Sequence, residues 1–398
     1  MWRAWGIVLL LLSPQDLGIR AVAPDHEIAL RPPAGWTRYT GSGPTVVKFR
    51  QPGELPVAAE LIVAHLTSSN PTPLETFKKQ ARDNIKEKYA GAQILEEKDL
   101  TLAGKHAYRL VFSHGELIFL KTVVHRSNVE YYLLDAAYPP TQAEKVRPVI
   151  EASIASLEIV PATLSPEDRV AESKALGLLK GAKIDPALLG EKWFAIHLGA
   201  RKVGHMRLKI AESEGMYSFD SEVKTDFGDG NTDSTTARGQ FSPDGRSQKV
   251  DSDQVKVNPK QKWQFKVSAS IQEGKARITR DLNGVQEERS FPVEEGVVLN
   301  DVLECLRPVI VGGGKGVYLV KVLSPYSDEW TPESLEVSGL ENLEFYGKPT
   351  DCILVMSGTG IRRRTTYTYL PDRSLYRVGG PKDAFSVRAS TKEEVLKK

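Results

Sequence analysis

The sequence has few of the residues from which familiar catalytic and metal sites are built. Its 398 residues include only 2 cysteines, 7 histidines and 4 methionines. It contains no G-x-S-x-G elbow, no H-E-x-x-H zinc helix, no C-x-x-C pair and no Walker-type G-K-[ST] loop. These absences remove the hydrolases, metalloproteases, thiol oxidoreductases and nucleotide-binding enzymes that such motifs mark. We therefore predict a protein that is not an enzyme and that uses no cofactor and no metal.

Charge of one sign is not concentrated anywhere in the chain. Lys and Arg number 53 against 51 Asp and Glu, which gives a formal net charge of +2 and a pI near 8.3. Nucleic-acid-binding proteins usually gather basic residues in one arm or on one face, and no such arm is present. The one tight basic run, Arg362–Arg364, alternates faces if it lies in a strand. We therefore expect no nucleic-acid partner.

Long apolar runs are also missing. The longest near the N-terminus, Ile7–Leu12, follows Arg3 and is too short to span a bilayer as a helix. Small residues at Ala21 and Ala23 complete the pattern of a secretory signal peptide over residues 1–23. The sequence thus predicts an exported protein, periplasmic or extracellular.

The length of the chain favours two domains, because 398 residues exceed what one hydrophobic core usually supports. A hydrophobic content of 40% and a charged content of 26% are typical of folded proteins. Proline and glycine recur between residues 161 and 190. We predict a first domain over 24–160, a linker with a short helix over 161–190, a second domain over 191–390 and a charged tail over 391–398.

The first domain shows strand-like runs around one amphipathic helix. Leu74, Phe77, Ala81, Ile85 and Tyr89 recur at helical spacing, and four strand-like runs between 93 and 138 are separated by short turns. A last helix is predicted over 141–156. The predicted order is β-β-α-β-β-β-β-α.

Several short segments of this region resemble the PsbP-like superfamily. They are Gly35-Trp36, the Leu74–Tyr89 helix, Gly104–Tyr108 and Ile154–Leu157. The resemblance implies an α+β fold with an antiparallel sheet and helices. It implies no catalytic residue.

The second domain is predicted to be an antiparallel sheet interrupted by one helix. Asn283-Gly284 is its strongest hairpin signal, because both turn positions need positive φ. An apolar stripe with helical spacing then follows. Its predicted ligand-lining residues are Val298, Leu299, Val302, Leu303 and Leu306. We expect a curved β half-barrel closed over this helix.

The second region is similar to an uncharacterised exported bacterial family with the half-barrel shape of the LolA/LolB lipoprotein carriers. The similarity rests on Asn300–Leu303, Leu306-Arg307, a Gly-rich turn, Val337–Phe345 and Asp351-Cys352. It implies an envelope location and an apolar concave face.

The two cysteines, Cys305 and Cys352, leave two alternatives open. In an oxidising compartment they can form a disulfide, and otherwise they are two separate buried thiols.

Other polar groups are interpreted as structural. Asp229, Asn231 and Asp233 match the start of a calcium loop, but Ser234 and Gln240 replace its Gly and Glu, so an exposed hairpin loop is favoured. Gly312–Gly314 leads into a strand, which favours a turn over a phosphate site. His197 and His205 flank a hairpin whose length decides whether they share a face. Either a ligand surface or core packing explains the tryptophans Trp193, Trp263 and Trp330.

Taken together, the sequence predicts a non-catalytic envelope protein that binds an apolar ligand, such as a lipid, or an envelope protein partner. Two alternatives remain: a hydrolase-type enzyme using residues such as His197, His205 and Asp229, and an assembly subunit that binds through a sheet edge.

Overall fold

The structure is a computed structural model that describes residues 17–23, 26–40, 44–53, 58–68, 71–160, 164–181, 183–345, 348–358, 365–379 and 383–397. Most of the predicted signal peptide and the run Arg362–Arg364 lie outside these residues. The chain divides into two compact units, Met1–Ala162 and Thr163–Lys398. No helix in the described ranges is long and apolar enough to cross a membrane.

Among its described residues, the first unit has ten strands and two α-helices. They are β1 (Ala21–Ala23), β2 (Ile28–Leu30), β3 (Thr37–Thr40), β4 (Thr45–Arg50), β5 (Glu60–Thr67), α1 (Leu74–Lys88), β6 (Gln93–Leu102), β7 (Lys105–His114), β8 (Leu117–Ser127), β9 (Glu130–Tyr138), α2 (Ala143–Ala155) and β10 (Glu158–Ile159).

The seven longer strands form one antiparallel sheet in the order β3-β4-β5-β9-β8-β7-β6. Helix α2 packs Val146, Ile150 and Ile154 into the core against this sheet, and α1 packs Ile85 beside Phe112 in a smaller cluster. The order predicted from β4 to α2 is therefore confirmed. The short strands β1, β2, β3 and β10 were not predicted, because two to four residues carry no recognisable period.

Strand β1 lies within the segment predicted as a signal peptide. It pairs with β2, which also pairs with β10, in a separate three-stranded sheet. Ala21 and Ala23 pack partly buried against the main core of the unit. The N-terminal segment is thus part of the fold from residue 21 onward.

In the part of the second unit that the structure describes there are fifteen strands and three α-helices. They are α3 (Pro166–Leu179), β11 (Gly190–Leu198), β12 (Arg201–Ser213), β13 (Met216–Gly228), β14 (Asn231–Phe241), β15 (Gln248–Asn258), β16 (Gln261–Gln272), β17 (Lys275–Leu282), β18 (Val285–Pro292), β19 (Val297–Leu299), α4 (Asn300–Val311), β20 (Gly316–Leu323), β21 (Trp330–Phe345), β22 (Lys348–Gly358), β23 (Thr365–Tyr369), β24 (Leu375–Val378), β25 (Phe385–Ser390) and α5 (Lys392–Leu396).

All fifteen strands belong to one sheet in the order β18-β17-β16-β15-β14-β13-β12-β11-β25-β24-β23-β22-β21-β20-β19. Most neighbours are joined by hairpins, and Asn283 and Gly284 adopt the positive φ angles that the predicted turn requires. Strand β25 joins the two halves of this order, because it pairs with β11 on one side and with β24 on the other. The fold class is mixed α+β, as predicted, with antiparallel sheets dominant.

The sheet is strongly curved, and the contacts of one buried glutamine show that strands far apart in the strand order lie close together. Gln248 on β15 donates its side-chain N–H to the Val297 carbonyl (2.9 Å) and accepts from the Leu299 N–H (2.8 Å). Strand β19 is an edge of the sheet, whereas β15 lies near the opposite edge. The amide of Gln248 thus satisfies the free edge of β19, which a buried edge requires.

The predicted helix begins two residues later than expected. Val298 and Leu299 belong to β19, which pairs parallel with β20, and α4 starts at Asn300. The prediction that these two residues are helical was therefore wrong. The Val297–Leu299 run is short and apolar, and such a run cannot be assigned to strand or helix by periodicity alone.

Both segments predicted as linker and tail contribute to the second unit. Ala175 and Leu179 of α3 lie in its main core. At the C-terminus, Thr391 caps α5 with Glu394, and Val395 is buried. Lys202 donates to three carbonyls at the end of α5.

Candidate functional site

A cavity of about 620 Å³ lies in the second unit between one face of the sheet and helix α4. Alternate residues of β12, β13 and β14 line it, because side chains on a strand point to one face at every second position. Strands β11, β23, β24 and β25 complete the wall. Its apolar lining includes Met206, Leu208, Ile210, Phe219, Val223 and Tyr369.

Helix α4 presents two different faces. Val302, Leu303, Leu306 and Ile310 are buried in the main core of the unit. Asp301, Glu304, Cys305 and Pro308 line the cavity, and their spacing of three, one and three residues places them on one side of a helix. The cavity wall on this side is therefore partly polar.

The five residues predicted to line a ligand site lie in the core instead. Val298, Leu299, Val302, Leu303 and Leu306 are each at most 3% exposed. All five belong to the main core of the unit, so the predicted burial of the apolar stripe is confirmed. None of them is among the described residues that line the cavity. Whether a ligand reaches them stays a prediction.

Glu304 is held by a buried arginine. The Arg307 guanidinium donates to both oxygens of Glu304 (3.0 and 3.2 Å), to Glu333 (2.8 Å) and to Ser357 (3.0 Å). It also stacks over the Tyr367 ring at 4.3 Å. Burial alone would lower the pKa of Arg307, but the two carboxylates raise it. The charge of Glu304 is thus compensated within the protein.

Asp301 lies in the first turn of α4 and has a different environment. Its side chain is half-buried where it faces the cavity and is otherwise enclosed by protein. Within the described residues, no other side chain donates a hydrogen bond or forms an ion pair with its carboxylate. Burial, and to a smaller degree the nearby Glu304 charge, raise its pKa from 3.8 to about 6. Asp301 is thus an acid without a partner side chain among the described residues, and only the N-terminal turn of α4 offsets its charge.

Three cations and one acid stand at the rim of the cavity. Arg373 and Lys392 are exposed, and the Lys392 ammonium lies 5.6 Å from the Trp193 ring. Lys192 donates to the Ala187 carbonyl (3.2 Å). Glu191 accepts from the Trp193 indole N–H (2.7 Å), which lowers the pKa of Glu191. Trp193 therefore lines the entrance of the cavity.

The cysteines of the unit do not form a disulfide. Cys305 and Cys352 are both free and almost fully buried, at 1% and 0% exposed. Burial raises the pKa of each thiol. Of the two alternatives, the structure has the separate buried thiols, one of which lines the cavity.

His197 and His205 do not form one site with Asp229. His205 contacts Glu222 (3.3 Å), while burial and then the Arg388 charge lower the pKa of His197. Their hairpin turns at Gly199-Ala200, and strand pairing places both on the face opposite Phe194. In the described ranges no contact joins either of them to Asp229.

The remaining polar candidates have structural roles. Asp229 and Gly230 form the turn between β13 and β14, and Asp233 accepts from Gln254. Gly312–Gly314 forms the turn from α4 to β20, as predicted. In the part of the chain that the structure describes, no group of three His, Cys, Asp or Glu residues could hold a metal ion.

The chain was compared with known proteins. No protein-family model and no curated protein matches it. Among solved structures, a β-barrel-like protein of domain of unknown function DUF1849 from Brucella abortus has 11% identity over 50% of this chain and 94% of that chain, with a TM-score of 0.37. Cyanobacterial PsbP (CyanoP) from Synechocystis has 14% identity over 39% and 98%, with a TM-score of 0.29.

A third similar structure is LpqN, described as involved in cell envelope biogenesis of Mycobacterium tuberculosis. It has 16% identity over 34% of this chain and 83% of that chain, with a TM-score of 0.29. Values this low do not identify a family. The site must be interpreted from its own geometry.

Proposed function

We propose that this chain is a non-catalytic, exported envelope protein whose second unit binds an apolar ligand in the cavity between the curved sheet and α4. The observation that carries the proposal is the cavity itself. Its volume of about 620 Å³ falls within the range of about 300–1,000 Å³ that small-molecule sites occupy. Its walls are mainly aliphatic and aromatic, with a few polar groups on α4 and at the rim.

The physical basis for binding is removal of apolar surface from water. Each methylene group buried in such a space contributes about 0.8 kcal/mol. The walls come from strands paired on both sides, so the cavity is formed before a ligand arrives. A preformed site loses little affinity to ordering of the protein.

Two adjacent threonines provide a matched test. Thr235 lines the cavity, whereas Thr236, the next residue on β14, is exposed on the opposite face of the sheet. Thr235→Phe places a ring in the cavity, and Thr236→Phe makes the same change outside it. We expect Thr235→Phe to weaken binding of N-phenyl-1-naphthylamine, an uncharged apolar fluorescent probe, at least about tenfold.

The control Thr236→Phe should bind this probe like the unmodified protein. Equal binding by both variants, or no binding by the unmodified protein, would count against the proposal. Mass spectrometry of organic extracts from protein purified from its native compartment then identifies the natural ligand. A membrane-fraction assay of the native host tests the proposed export.

A further inference from the structure

Asp301 differs from the other acids of the cavity because only the N-terminal turn of α4, and no side chain within the described ranges, offsets its charge. Of the two carboxylates on the cavity side of α4, Glu304 is bonded by Arg307. Asp301 receives no such contact from another side chain within the described ranges. An ionised group enclosed in apolar surroundings is costly unless it is paired.

The location of Asp301 makes a ligand the available partner. Its carboxylate faces the same cavity that Phe219, Tyr367 and Tyr369 line. Burial, and to a smaller degree the nearby Asp301 charge, raise the pKa of the Tyr326 phenol. Aromatic rings around a carboxylate form an environment that attracts cations, through the charge and through the ring faces.

The cations at the rim act on a different part of a ligand. Arg373 and Lys392 are exposed to water, where charge pairs contribute little. Asp301 is half-buried on the cavity wall, where the same pair is stronger because the surroundings are less polar. The enclosed acid therefore has the larger influence on which head group enters the cavity.

We propose that the ligand carries a protonated amino group that pairs with Asp301 while its apolar part fills the cavity. This inference rests on the proposed function, since it specifies the chemical class of the ligand bound at the same site. Asp301 is the specificity-determining residue. The rest of the wall contributes affinity without regard to charge.

The pairing depends on pH in a defined direction. The carboxylate is ionised above about pH 7 and holds the ammonium group, and it takes up a proton as the pH falls through about 6. A bound cation lowers the pKa of Asp301, so loss of the pairing occurs at or below about pH 6. The titratable and charged groups that share its surroundings are Glu304, Cys305, Tyr326, Tyr367, Tyr369, Glu191, Lys192, Arg373 and Lys392.

The test uses three probes that have the same chain and different head groups. Dodecylamine, dodecanol and dodecanoate compete against N-phenyl-1-naphthylamine for the full-length protein at pH 8. We expect dodecylamine to bind at least about tenfold more tightly than dodecanol, with dodecanoate the weakest. Asp301→Asn should reduce the ratio of the amine and alcohol affinities to near one. The exposed turn variant Asp229→Asn should keep the ratio of the unmodified protein.

A pH series on the unmodified protein provides a second measurement that needs no variant. The amine preference should fall toward one between pH 8 and about pH 5, because Asp301 becomes neutral while the amine stays protonated. Equal binding of amine and alcohol at pH 8, a preference for dodecanoate, or a preference that does not change with pH would overturn this inference and leave the proposed function intact. Absence of binding by all three probes would overturn both.

Discussion

Replacing Asp301 by Asn should make the second unit more stable at neutral pH. The side chain is half-buried, has no partner side chain among the described residues, and has a pKa raised to about 6 by burial. Asparagine has almost the same shape and carries no charge. The variant therefore removes the cost of an enclosed ionised group without leaving a new cavity.

The pKa gives the magnitude and the pH range of this effect. An increase from the ordinary value of 3.8 to about 6 means that ionisation of Asp301 lowers the free energy of unfolding by about 3 kcal/mol at most. The penalty is absent below about pH 4, where the carboxyl is protonated in both states. It grows between about pH 4 and 6 and is complete above about pH 7. We expect a gain of about 2 kcal/mol at pH 8, because the amide of asparagine also loses some contact with water.

Urea unfolding of the full-length chain at pH 4, 6 and 8 measures the effect. Two units need not unfold together, so hydrogen exchange of peptides from α4 should identify the transition of the second unit. Asp229→Asn, at an exposed turn, is the control. Its free energy of unfolding should follow that of the unmodified protein at all three pH values. A loss of stability in Asp301→Asn at every pH, or a gain that is the same at pH 4 and 8, would refute the reasoning.

Three further predictions concern the rest of the fold. Gln248→Leu leaves the buried Leu299 N–H and the Val297 carbonyl without partners, so the free energy of unfolding should fall by about 3 kcal/mol. Hydrogen exchange at Leu299 should become faster, and unchanged exchange there would contradict the role of Gln248 at the edge of β19. Cys305 and Cys352 should react with a thiol reagent only after denaturation, because both thiols are buried and burial raises their pKa values. Absorbance follows the reaction, and rapid labelling of the native protein would show that the cavity admits the reagent. Deletion of residues 1–23 removes β1 and should increase hydrogen exchange in β2, whereas protection equal to that of the full chain would show that β1 adds nothing.

Local patterns predicted the elements of this fold better than their assembly. Asn283-Gly284 defined its hairpin, because the turn chemistry acts within two residues. Pairing between segments far apart in sequence left no comparable signal. Strand β25 pairs with β11, although almost the whole sequence of the second unit separates them. Gln248, on another strand, forms hydrogen bonds with the edge of β19. Neither contact can be deduced from the residues on one segment.

The same limit explains why the cavity face of α4 was not predicted. The apolar stripe through Val302 and Leu306 marks the core face, and it is buried as expected. Asp301 and Glu304 lie outside that stripe, where polar residues on a helix normally face solvent. Their spacing with Cys305 and Pro308 was the available signal for a second enclosed face. Only the curvature of the sheet turns that face into a cavity wall.

The difference between two acids on one helix face is the strongest argument that the cavity has an occupant. Glu304 is exposed and is bonded by Arg307, which is consistent with a purely structural role. Asp301, three residues earlier, faces the cavity without such a partner and bears the cost of burial. By the stability prediction above, folding should be easier with asparagine at this position. A residue that weakens the fold and faces an enclosed apolar space is explained when a ligand supplies the missing charge, and the amine pairing proposed above is the simplest arrangement that does so.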